Sequence, residues 1–423
     1  MSGTRDDTIS TKEVVPRRPK SLWLNRDYML LWSGQVVSNV GTQVSTLAFP
    51  LLILAVTGSP AQAGFVGALR ALPYVIFSLP AGALIDRWDR KRTMILCDTG
   101  RALSLVSIPV ALVTGHLTII QLYLVSLIEG TLFVFFNIAE AACLPRVVPK
   151  EQLPAATAQN MATDGVTTLI GPSLGGALYT AGRLLPFLAD AISYAVSVCS
   201  LFFIKTKFQK ERVAARRSLW IEIQEGLAWL WHHPLIRFIA ILTGGNNLIS
   251  AGLVLIIIVL AQRQHASAFV IGLIFAIGGI GGVLGAVVAP FFQKRLSFGQ
   301  AIIGTSWLFA LFMPLYAIAP NPFVLGLITA AAFIMVPLYN VVQFSYRSAL
   351  IPDELQGRVN SVFRLIAFGG QPLGLALTGV LIQNIGAIQT ILIASVGLAV
   401  LAVAATLNAH VRNARPIAEV ANE

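Results

Sequence analysis

The sequence predicts an all-α membrane protein, twelve transmembrane helices arranged as two six-helix halves. Composition, the number of long apolar runs and an internal repeat carry that reading. Of 423 residues, 56% are hydrophobic and only 12% charged, against about 25% charged in an average soluble domain. Runs of about 20 apolar residues, enough to cross a bilayer core, begin near Leu30, Gly64, Thr93, Ile119, Thr157, Phe187, Phe238, Phe269, Ala301, Phe323, Val359 and Ala387. An even number of crossings puts both termini on one side.

The cations test this topology, because loops rich in Lys and Arg stay in the cytosol. Of the thirty, Arg183 and Arg263 alone fall in loops assigned outside, Arg70 and Arg101 lie within spans, and the rest are cytosolic. Both termini are therefore cytosolic, and the net charge of +11 needs no nucleic acid to explain it. Residues 1–27 read as a disordered cytosolic tail, with no apolar core of a cleavable signal. Residues 409–423 read as a second tail. Cys97, Cys143 and Cys199 have no metal-ligand spacing and read as packing residues.

The halves show in the repeat. Phe136-Asn137 leads through Val148-Pro149-Lys150-Glu151 and Asn160 to Gly171-Pro172; Tyr339-Asn340 leads through Ile351-Pro352-Asp353-Glu354 and Asn360 to Gln371-Pro372. The offset is 203 before the loop and 200 after it, so one three-residue deletion relates the copies. Spans four and five thus correspond to ten and eleven. The halves cover 28–204 and 238–408, joined by a linker at 205–237. In the linker Trp220, Ile223, Leu227 and Leu230 recur at helical spacing beside Arg216, Arg217, Glu222 and Glu225, which suggests a helix on the cytosolic surface.

Between spans two and three lies Pro80 to Arg92, PAGALIDRWDRKR, a glycine-led turn with four cations in its last six residues. It resembles the corresponding loop of major facilitator superfamily transporters through Gly82, Leu84, Asp86, Arg87, Arg90, Lys91 and Arg92. Ile85 and Asp89 depart from that pattern. Leu31-Trp32-x-Gly34-Gln35, Thr57-Gly58-Ser59, Glu225-Gly226-Leu227 and His233-Pro234 are similar to the branch holding macrolide-efflux proteins and the enterobactin exporter. The resemblance runs from about Asn25 to Asn408. It implies the major facilitator fold, a central cavity, a monomer in the bacterial inner membrane and no enzymatic activity. It also implies no cofactor beyond the transmembrane proton gradient. Asp86 would then latch the cytosolic gate against the N-terminus of span eleven in the outward-open state.

Ionisable groups inside a membrane are costly and mark function. Four acids are candidates: Glu129 and Glu140 in span four, Asp164 in span five and Asp190 in span six. The spans of the second half hold none. Glu129, Glu140 and Asp164 are the candidates for proton coupling. Glu129 stands first, with an alternative structural role as the partner of Arg101 in span three. Asp190, at the outer end of its span, reads as a structural acid in an interfacial setting. Gly171-Pro172-x-x-Gly175-Gly176 resembles the fifth-span signature of facilitator antiporters and favours export. Two positions depart from antiporter relatives: Gly41-Thr42-Gln43 holds no acid, and Ser126 stands where an arginine is common.

Cargo contacts would come from Gln35, Asn39, Gln43, Phe133, Asn137, Asn246, Asn247, Asn340 and Gln343. Amides and aromatics without dense charge suit a bulky amphipathic molecule, such as a drug, a macrolide-like compound or a siderophore. Lysophospholipid flipping, proton-coupled uptake and a non-transporting receptor remain alternatives. No Gly-x-x-x-x-Gly-Lys-Ser/Thr, hydrolase or metal constellation is present.

Overall fold

In lipid a backbone must satisfy its own N–H and C=O groups, so long apolar runs fold as helices. A computed structural model describes residues 21–206, 208 and 219–414, nearly all of them helical. The first half comprises α1 (Arg26–Thr57), α2 (Pro60–Arg87), α3 (Arg90–Val113), α4 (Ile119–Val147), α5 (Leu153–Ala181) and α6 (Leu185–Phe203). A linker helix α7 (Leu219–His232) follows. The second half comprises α8 (Pro234–Ser250), α9 (Leu253–Arg263), α10 (Ala268–Arg295), α11 (Phe298–Phe312), α12 (Pro322–Leu350), α13 (Gln356–Gly369), α14 (Gln371–Ile385) and α15 (Ala387–Leu407), with α16 (Ala409–Arg412) behind it. Residues 1–20 and 415–423, Arg216, Arg217 and the side chain of Trp220 lie outside the description.

Sequence sets the helix ends. The Asn25, Ser59, Asp89, Thr118, Ser267, Ser297 and Asn321 side chains each accept a backbone N–H of the helix they precede, as N-caps do. Gly58, at φ +64°, closes α1 in the left-handed conformation that favours glycine. The basic turn is shorter than its sequence predicts. Pro80 to Arg87 continue α2 and Arg90 already begins α3, so only Trp88 and Asp89 are non-helical. Asp89 is the reason, because its carboxylate accepts the Arg92 N–H at 2.9 Å and starts the next helix at once.

Among the described residues, eleven helices or helix pairs are long and apolar enough to cross a membrane. The twelfth rod, α5, has 29 residues but carries Asn160, Thr163, Asp164, Thr167 and Thr168 on one side. Two spans are broken. α8 gives way to α9 around Ser250–Gly252, and α13 to α14 at Gly370. Pro172 and Pro372 occupy equivalent places in the repeat, yet α5 stays continuous. The difference lies in Gly369-Gly370, which precede Pro372 and weaken the helix where proline already removes one hydrogen bond.

Two seams join the halves, α2 with α14 and α5 with α10. Both run along the end away from the termini and close glycine on glycine. A Cβ on Gly379 would stand 2.6 Å from the Pro60 carbonyl oxygen and 2.9 Å from Gly64 Cα; one on Gly272 would stand 2.6 Å from the Pro172 oxygen. Backbones this close need residues without side chains. The Phe269 N–H also donates to Thr180 Oγ1 at 3.0 Å across the second seam.

Candidate functional site

A cavity of about 1000 Å³ lies between the halves. It reaches Ile53 and Ala63 at depth, and Tyr28, Leu144 and Asn160 at the end that carries the termini. The seams close it at the far end. Its wall is unequal. α1 to α5 supply the polar lining, whereas the second half adds Ala251, Val254, Leu255, Phe368, Gln371 and Leu375, all from the two helix breaks.

Behind the polar wall is a buried charge cluster drawn from α1, α2, α3, α4 and α6. The guanidinium of Arg101, 2% exposed, is its centre. Nε lies 3.6 Å from Glu129 Oε2, and another nitrogen lies 3.4 Å from Asp98 Oδ1. Arg101 also donates to the Tyr194 hydroxyl and to Thr42 Oγ1, and it stacks 4.0 Å over the Tyr194 ring. Tyr194 donates to Glu129 at 3.4 Å. From α2, Arg70 approaches Glu129 Oε2 to 3.9 Å, donates to Thr46 Oγ1 at 3.3 Å and remains 22% exposed to the cavity. Gly130 permits this, because a side chain there would strike the Arg70 carbonyl.

Glu129 is 1% exposed and is held from two sides. Asp190, read from sequence as interfacial, is instead completely buried. It packs against Gly41, midway along α1, where a Cβ would stand 2.6 Å from its Oδ1. Asp98, not among the four acids singled out, is a fifth inside the membrane-spanning helices. The Asp98-x-x-Arg101 spacing, which places both on one helical face, is the signal that would have found it.

The other candidates divide. Glu140 and Asp164 line the cavity toward its mouth, with Asp164 accepting from Asn39 Nδ2 at 3.3 Å. Gln43 donates to Thr168 at 2.9 Å. With Tyr28–Gln159 and Trp32–Thr163, both 3.1 Å, these bonds form a ladder tying α1 to α5. Gln35 lines the cavity while donating to Ser197 at 3.5 Å. Phe133 and Asn137 face the cavity and are exposed. Asn246, Asn247, Asn340 and Gln343 stand outside its lining. Asn247 instead donates to the Ala367 carbonyl at 2.8 Å, pinning α8 to α13, and Gln343 is 7% exposed.

In the basic turn, Asp86 and Arg90 form an ion pair at 3.1 Å. Arg90 also donates to the Ala142 carbonyl at 3.0 Å, and Lys91 to that of Ile204 at 2.7 Å. At the C-terminal end of α6 the Lys91 ammonium thus meets the carbonyl of the C-cap residue Ile204, which has no helical partner. Arg87 and Arg92 are exposed, and Gly82 lies in α2 with open space around it. In α5, Gly171 meets Gln43 and Gly175 meets the backbone of Val44, while Gly176 meets Ala268 and Gly272 across the seam.

Comparison with known proteins agrees with this architecture. The chain is 26% identical over 406 residues to the multidrug efflux pump Tap of Mycolicibacterium fortuitum, covering 91% of this chain and 96% of the relative. It is 25% identical over 369 residues to macrolide efflux protein A of Streptococcus pyogenes, covering 85% and 90%. It is also 25% identical over 369 residues to the enterobactin exporter EntS of Salmonella typhi, covering 86% of each. In fold it matches an inward-facing, unoccupied bacterial homologue of the lysosomal transporter Spinster, with TM-score 0.72, 16% identity, and 91% and 97% of the two chains covered. A bacterial homologue of ferroportin in an inward-facing state matches at TM-score 0.70 and 16% identity, with 92% and 100% covered. Residues 23–422 match the family model described as transmembrane secretion effector. Helices, cavity and family model together make the chain a member of the transmembrane secretion effector family of major facilitator transporters, proteins that move small molecules and are not enzymes.

Proposed function

We propose that this protein exports a bulky amphipathic small molecule across the bacterial inner membrane by alternating access, driven by proton entry. The observation that carries this is Glu129, a buried carboxylate held between Arg70 and Arg101 directly behind the polar wall of an open cavity. A carboxyl that changes protonation there changes how tightly two helices hold together. It thereby couples a proton to a conformational step.

The concentration of cations at the end bearing the termini makes that end cytosolic, so the cavity is open inward. Cargo enters from the cytosol and lies between the polar first half and the apolar second half. Binding is coupled to proton release. The far-end seams then part, and Asp86 latches the opposite end through the positive N-terminus of α13. Gly171, Pro172, Gly175 and Gly176 keep α5 narrow enough to slide during this exchange. The efflux names carried by the relatives support drug-like or siderophore cargo, and the single chain contains both halves of the cavity, so a monomer suffices.

The test is proton flux in liposomes holding purified protein, on addition of macrolide, phenicol and catecholate compounds. Wild type is expected to show cargo-dependent proton flux, and Glu129→Gln to lose it. Cargo movement without proton flux would overturn antiport and leave a facilitator or flippase.

A further inference from the structure

The charges of the buried cluster do not balance. Three carboxylates, Asp98, Glu129 and Asp190, none more than 1% exposed, face two guanidinium groups, Arg70 and Arg101. Asp98 and Glu129 each have an arginine within ion-pairing distance. Among the described residues Asp190 has none. Its Oδ1 accepts from Ser193 Oγ at 3.2 Å, and its Oδ2, like Asp98 Oδ2 and Glu129 Oε1, is buried without a hydrogen-bond partner, so the missing cation is what sets Asp190 apart. α1 presents Gly41 and the Ser45 hydroxyl to it, with no charged group. The charges that face it from further away are Arg101 on α3, Arg70 on α2 and Glu129 on α4.

An ionised carboxylate without a cation is strongly disfavoured in such a place, and neutralisation by a proton is the usual resolution. We infer that Asp190 is a proton-holding carboxyl of this transporter, and that in the inward-open state shown here it carries the proton that the cluster's two arginines leave unbalanced. In this state Glu129 is the carboxyl held between the arginines, and Asp190 the seat that holds the proton exchanged with it when the helices move. The proposal deepens the antiport reading and rests on it for the proton's role in transport. Protonation of Asp190 itself can be observed without cargo.

The experiment is infrared spectroscopy of the purified full-length protein at neutral pH, reading the C=O stretch of protonated carboxyl groups. Wild type is expected to show a band that moves when aspartate carries heavy carbon in its side-chain carboxyl and stays when glutamate is so labelled. Asp190→Asn, which keeps the shape and the Ser193 contact, is expected to lose that band. A band that moves only with labelled glutamate, that persists in Asp190→Asn, or that is absent from wild type would overturn the proposal. Should Asp190→Asn fail to fold, the labelling of wild type still decides between aspartate and glutamate, and Asp98→Asn must keep the band. Failure of antiport alone would appear as absent flux with the aspartate band intact.

Discussion

Arg101 shows how one side chain organises a membrane-buried site. Its guanidinium meets Glu129, Asp98, Tyr194 and Thr42, four partners on four helices. Only a planar fork with several donors does this; a lysine ammonium cannot reach them all. Removing one partner from a buried charge network leaves the others uncompensated, which costs about 3–5 kcal/mol. Arg101→Met is therefore expected to lower the unfolding midpoint in detergent sharply, and Arg101→Lys to lower it less. Equal midpoints for the two variants would show that shape, not charge, is what the site requires. In the sequence Arg101, Glu129 and Asp190 stand out as ionisable groups in apolar runs. Their mutual arrangement does not, because it depends on how five helices rotate about their axes. Asp98 escapes notice for a simpler reason: it sits only eight residues inside α3, close to a basic turn that accounts for nearby charge.

Between helices the decisive contacts are backbone on backbone. The seam of α5 and α10 brings Gly176 against Gly272, with the Thr180 hydroxyl accepting from the Phe269 N–H. A large side chain at Gly176 leaves the far end no room to close. Gly176→Leu is expected to shift the population away from the inward-open state, read as slower labelling of Asn39→Cys by a thiol reagent supplied on the cytosolic side, with Cys199→Ser as background. Unchanged labelling would mean that the seam opens without cost and does not gate. Eleven spans stand out by length and hydropathy, α5 being the polar exception, and the pairing of spans four and five with ten and eleven is readable from the repeat. The breaks in the seventh and eleventh spans are not, since Ser250–Gly252 and Gly369-Gly370 resemble glycines that elsewhere, as at Gly281 and Gly285, sit inside a continuous α10.

Across the whole molecule the two halves share a fold and differ in chemistry. All the membrane-embedded acids belong to the first half, and the second half meets the cavity with aliphatic side chains, Gln371 and the ring of Phe368. Phe368 packs edge-on against Tyr74 at 6.2 Å, so one aromatic pair bridges the halves at the cavity. Phe368→Ala is expected to weaken binding of a macrolide probe by roughly tenfold, equivalent to about 1.4 kcal/mol, while leaving the unfolding midpoint little changed. Binding of equal strength would place the cargo against the first half alone. Sequence shows where the acids are but not this division of labour. The amides at Asn246, Asn247, Asn340 and Gln343 resemble those of the first half yet stand outside the cavity lining, Asn247 held by the Ala367 carbonyl and Gln343 buried.

The polar face of α5 bears also on how the chain is made. Asp164 stands near the middle of that helix, where an aspartate costs about 2.5–3.5 kcal/mol on entering a bilayer alone. Its amide partner Asn39 belongs to α1, synthesised more than a hundred residues earlier. During biogenesis α5 is thus a poor candidate for independent insertion from the translocon, and its retention in the bilayer depends on α1 being already there to receive it.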